Sequence, residues 1–107
     1  MDLEIGQGDT LPLLQDRLLD PETQRPVPIP PNATVTWKTF PAGGGRTRKV
    51  VATVLDYDGA CVQVAVPTDC PGVFLGQWVV ATPWTPPAQE TFPKGDYRRV
   101  LVTPTSR

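Results

Sequence analysis

Few residues in this chain have types and spacings that suit chemistry. There is no histidine, which removes the Ser-His-Asp and Cys-His arrangements and the common zinc sites. Asp56 and Asp58 stand two apart, so an extended backbone would put both carboxylates on one face. A calcium loop needs more oxygen ligands in a set order, and Gly59 marks the pair as turn residues instead. Gly43-Gly44-Gly45 runs into Arg46-Thr47-Arg48, where a phosphate-cradling loop needs Gly-Lys-Ser/Thr opening a helix. Arg46, Arg48 and Lys49 therefore suit a solvated hairpin tip better than a nucleic-acid site. Cys61 faces away from the valines around it and has no imidazole to activate it, so it is expected to pack. Glu90 and Asp96 have no partner acid at a useful spacing. The expectation is no catalysis, no cofactor, no metal and no small-molecule substrate. What remains is aromatic and proline-rich: Trp84 with Pro83, Pro86 and Pro87, and Phe92 with Pro93. Here an indole would anchor a protein interface, stack on a sugar ring, or simply cover one end of the fold.

The elements that must carry these residues follow from the punctuation. Fourteen prolines and nine glycines among 107 residues leave little room for long helices. The chain is long enough for one core and too short for two, so a single domain spans 1–107. Its termini, about 1–8 and 103–107, are expected to be flexible unless a partner holds them. Ten basic and eleven acidic residues give a net charge of −1, which argues against nucleic acid held by phosphate neutralisation. No apolar run approaches the ~20 residues of a membrane span. The acidic start Met1-Asp2-Leu3-Glu4 lacks the basic and apolar regions of a signal peptide. A cytosolic chain keeps Cys61 and Cys70 as free thiols.

The organising stretch is 71–81, which begins at Pro71-Gly72 and stops at Thr82-Pro83. Read with period two, Phe74, Gly76, Trp78 and Val80 share one face, and Val73, Leu75, Val79 and Ala81 the other. Such a strand belongs in the middle of a sheet, covered on both sides. Gly76 leaves a gap there that a facing large side chain would fill. Residues 34–40 alternate, with Val35, Trp37 and Thr39 on one side and Val35 and Trp37 expected inward. Residues 49–55 form the returning strand, and 56–59 a tight turn with Gly59 free to take positive φ. Residues 60–66 place Val62, Val64 and Val66 together. The last strand runs over 96–103, with Val100 and Val102 inward. Near the start, 11–19 reads as a strand with an irregular middle, a helix being its rival. The segment 26–32 is an extended connection that tucks Val27 and Ile29 into the core. Turn signals every 8–14 residues give six to seven, at most eight, short antiparallel strands, the spacing of an immunoglobulin-like β-sandwich.

Several of these turns resemble the N-terminal domain of the phage baseplate upper protein family. The carriers are Gly8-Asp9-Thr10-Leu11-Pro12, Leu18-Leu19-Asp20, Pro26-Val27-Pro28-Ile29 and Asn32-Ala33-Thr34-Val35-Thr36-Trp37. In the second half they are Gly59 before an alternating strand, Pro71-Gly72 with Phe74, and Thr91-Phe92-Pro93 ahead of Tyr97, Val100 and Val102. The resemblance covers about 8–102, with one extra residue between Ile29 and Ala33 and Asn32 where that family prefers glycine. It implies an immunoglobulin-like sandwich and a non-enzymatic virion part of the tail, baseplate, neck or capsid surface, assembled in the host cytoplasm. Its partners would be other virion proteins in symmetric multiple copies, with no nucleic acid or membrane. Trp84, Pro86, Pro87, Phe92, Arg46 and Arg48 are the candidate interface residues. The expected core is Val35, Trp37, Val62, Val64, Phe74, Trp78, Val80, Val100 and Val102. The rival from another class is a carbohydrate-binding or host-adhesion module that uses Trp84 and its neighbouring loops.

Overall fold

A computed structural model describes residues 3–9, 13–83, 89–93 and 97–104. These residues form nine strands and no helix: β1 (Leu3–Gly6), β2 (Leu14–Arg17), β3 (Thr34–Pro41), β4 (Arg48–Val51), β5 (Thr53–Asp56), β6 (Cys61–Val64), β7 (Gly72–Ala81), β8 (Gln89–Phe92) and β9 (Arg98–Thr103). They make two sheets, a larger one in the order β1-β9-β7-β3-β4 and a smaller one in the order β2-β6-β5. β8 pairs with β7 beyond the stretch that β9 occupies, so β8 and β9 line the same side of β7 in succession. Every pairing is antiparallel except β1 with β9. The architecture is all-β and sandwich-like.

β7 lies in the middle of the larger sheet, as its two apolar faces require. Its Gly76, Trp78 and Val80 face is buried, whereas Val73 on the other face is exposed and Leu75 and Val79 are half-buried. The expectation that both faces are covered therefore holds for one of them among the described residues. The buried side chains of Val35, Trp37, Val62, Val64, Trp78, Val80, Val100 and Val102 form one core with Ile5, Leu14, Leu18, Ile29 and Phe92. Phe74 is half-buried against it. The gap at Gly76 is filled, but by Trp37 from the adjacent strand of the same sheet. The indole lies diagonally over the glycine, and its ring centroid sits 4.9 Å from that of Trp78.

Five expectations are corrected. The described residues form nine strands with one parallel pairing, where at most eight antiparallel strands were expected, because both the first segment and the run before Pro93 pair as short strands. The segment 1–8 contains a paired strand, because Leu3 and Ile5 alternate with polar neighbours and Ile5 reaches the core. The returning strand over 49–55 is two strands in different sheets, and the chain crosses at Ala52, whose N–H donates to the Val35 carbonyl (2.8 Å). In the following turn, Ala60 takes positive φ (55°), not Gly59. A Cβ at position 59 would lie 2.6 Å from an Asp56 carboxylate oxygen, which the exposed Asp56 side chain could relieve by turning away. Finally, Phe92 is 3 % exposed: β8 turns it inward opposite Trp78, so it serves the core and offers no interface. The connection over 26–32 does tuck Ile29 into the core, with Val27 half-buried above it.

Candidate docking surface

The two sheets are tied by one polar cluster. Asp16 on β2 accepts a hydrogen bond from Trp78 Nε1 on β7 (3.0 Å) and another from Arg98 Nε on β9 (2.5 Å). A second Arg98 nitrogen donates to the other carboxylate oxygen, which makes the pair bidentate. The Asp16 side chain is 9 % exposed and that of Arg98 25 %. A charge this deep needs both partners, and here one carboxylate joins the two layers and satisfies the indole N–H as well. Its geometry is structural: the indole and the guanidinium both donate to one carboxylate at the layer boundary.

Surface able to receive a partner lies along one flank, where β4 edges the larger sheet and β5 edges the smaller. Each is hydrogen-bonded to a neighbour on one side only, β4 to β3 and β5 to β6, which leaves unpaired main-chain groups on the other side. Val51 between them is 74 % exposed, and Leu55 and Tyr57 continue the apolar line. Arg46, Arg48 and Lys49 stand at the start of this flank, all exposed, and Asp56 and Asp58 at its far end. Arg48 is held on the flank by Asp69 from the β6–β7 connection (2.5 Å). The Arg48 hydrogen bond keeps the Asp69 carboxyl below the ordinary aspartate range.

Beside the basic end, a cleft of about 440 Å³ opens where β3 finishes and β7 begins, with Phe40, Pro41, Pro71 and Phe74 in its walls. Arg46 and Arg48 also line it. On the outer face of the larger sheet, Phe40 meets Tyr97 edge-on at 5.5 Å.

Two of the interface residues expected from sequence, Arg46 and Arg48, thus come together on one surface. Phe92 does not join them. Trp84, Pro86 and Pro87 lie outside the described residues, as does Asp96. Cys61 is half-buried and accepts a hydrogen bond from Gln15 Nε2 at 3.4 Å, and Cys70 is exposed; both are free thiols. Sequence reasoning missed Asp16 and Arg98, whose partners are 82 positions apart. It also missed Val51 and Leu55, because a single strand over 49–55 hides the change of sheet that exposes them. No proline or glycine marks that change of sheet, so the sequence carried no local signal for it. Compared with family models, with characterised proteins and with solved structures, the chain matches none.

Proposed function

We propose that this chain is an immunoglobulin-like structural subunit of a bacteriophage virion, which docks onto other virion subunits, copies of itself included, through open strand edges. The strand order supports the fold part of this reading. β9-β7-β3-β4 stand as strands G, F, C and C′ do in such a domain, and β2-β6-β5 as B, E and D do. The third strand carries the buried Trp37, as strand C does. Antibody domains join strands B and F by a disulfide; the corresponding β2 and β7 are joined here by the Asp16–Trp78 hydrogen bond.

The observation that carries the docking role is the open flank: two edge strands with unpaired backbone and exposed apolar side chains between them. Isolated edges of this kind invite aggregation. In a symmetric particle a neighbouring subunit covers them, which turns the hazard into an assembly contact. The resemblance to baseplate upper proteins supplies the setting.

The test is protein chemistry on purified particles. We expect the chain in multiple copies per virion, with cross-links from Lys49 on the flank to a neighbouring subunit. Its absence from particles overturns the proposal. Saturable binding on a glycan array, lost in Trp84→Ala, would transfer the assignment to carbohydrate recognition.

A further inference from the structure

The flank has a symmetry of its own. Counting outward from Ala52, Val51 mirrors Thr53, Val50 mirrors Val54, Lys49 mirrors Leu55, Arg48 mirrors Asp56 and Arg46 mirrors Asp58. Arg-x-Arg on one side thus answers Asp-x-Asp on the other. All four charged residues are exposed, and so are Val51, Thr53 and Leu55 between them. From Arg48 to Asp56 the chain runs extended through β4 and β5, a distance of about 26 Å at strand rise. The basic end lies beside the cleft where β7 begins. The acidic end lies toward the other end of the sandwich, where the Tyr57 carbonyl accepts the Ile29 N–H (2.9 Å).

We propose that the flank is an interface between two copies of this chain, related by a two-fold axis at Ala52. Such an axis lays the β4–β5 run antiparallel to its copy. It brings Arg46 and Arg48 of each copy against Asp58 and Asp56 of the other, so both ends of the interface pair opposite charges. Val51 meets Thr53 at the centre, and Leu55 lies along the stem of Lys49. The open backbone of each edge faces that of its copy. An isologous contact requires a self-complementary patch, and this patch is self-complementary in charge, in apolar content and in backbone donors and acceptors. Parallel alignment of the copies would instead set arginines against arginines and aspartates against aspartates, which selects against it. Asp69 remains beside Arg48 in the pair, as a second acceptor that fixes its direction. The inference concerns the isolated chain and stands whether or not the chain belongs to a virion.

Charge reversal tests it with the full chain in sedimentation equilibrium. The wild type is expected at twice the 11.7 kDa chain mass, with dimerisation weakening as salt is raised. The variant Arg46→Glu/Arg48→Glu carries acid at both ends, and Asp56→Lys/Asp58→Lys carries base at both. Each alone is expected to be a monomer, its dimer weakened about tenfold or more by like charges. An equimolar mixture is expected to form a heterodimer, because acid then faces base at both ends of the interface; the antiparallel alignment is read from the wild type, which pairs with itself only that way. Val51→Glu, at a site 74 % exposed in the lone chain, is expected to weaken the wild-type dimer. A wild type that stays monomeric at several hundred micromolar overturns the proposal. So does a dimer unmoved by Val51→Glu, or folded charge variants whose mixture remains monomeric.

Discussion

Gly76 and Asp16 are the two positions where single atoms decide the packing. A Cβ at position 76 would lie 2.2 Å from Trp37 Cζ2, inside any real contact distance, and the indole is fully buried with nowhere to retreat. Gly76→Ala is therefore expected to cost about 1–3 kcal/mol by overpacking, read as a lowered urea midpoint with an unchanged slope. Asp16→Ala removes the acceptor of Trp78 Nε1 and both bonds to Arg98. A cost of about 3 kcal/mol is expected, because a partly buried guanidinium loses the bidentate carboxylate that offsets its burial and the indole N–H loses its acceptor. Asp16→Asn keeps an acceptor for the indole and should lose less. Asp69 behaves differently because its side chain is exposed. Its carboxyl is held below the ordinary value of 3.8, mainly by the Arg48 hydrogen bond. Folding therefore favours its ionised form: the contribution is present above that value and is lost as pH falls through the lower folded pKa. Solvent and salt keep the effect small. A carbon-detected titration should find Asp69 protonating below the ordinary aspartate range, and Arg48→Gln should return it toward the ordinary value.

Among the elements, what the sequence made legible was whatever periodicity and punctuation control. Residues 34–40 alternate without interruption, and β3 formed with Val35, Trp37 and Thr39 inward. Val62 and Val64 on β6 and the inner face of β7 followed the same rule. The crossing at Ala52 carries no proline or glycine, so nothing local announces it; it is set by which sheet each half of the run can complete. Phe92 looked like a surface residue because Pro93 follows it, yet a partner strand at the far end of β7 gave it an inner face. The Asp16–Arg98 pair was invisible for a different reason: a charge in a leucine-rich run says nothing about a partner on the last strand. These placements predict a gradient of backbone protection. Amides of Gly76 and from Trp78 to Val80 have strands on both sides and should exchange with solvent most slowly. Alternate amides of β4 and β5 face outward and should exchange fast in dilute solution. As the concentration is raised into the range of the dimer, those outward amides should slow while β7 stays unchanged. Uniform slowing would instead indicate general aggregation.

The whole molecule is a rod-like sandwich, 49 × 24 × 24 Å, with a radius of gyration of 14.2 Å. Its long axis follows the strands, since β7 alone spans ten residues and stretches about 34 Å at strand rise. That anisotropy makes the manner of association measurable without atomic detail. Two rods joined along a flank place their centres about one width apart, and the radius of gyration then rises by only about a third. Joined end to end, as they would be through the loops around the cleft or around Pro83, the centres lie about one length apart and the radius roughly doubles. Small-angle scattering on a concentration series should therefore extrapolate to the lone chain at low concentration and to the smaller increase at high concentration. Val51→Glu should hold the scattering at the dilute limit throughout. A doubled radius would move the contact from the strand edges to the loop ends, and with it the surface by which the subunit meets its neighbours.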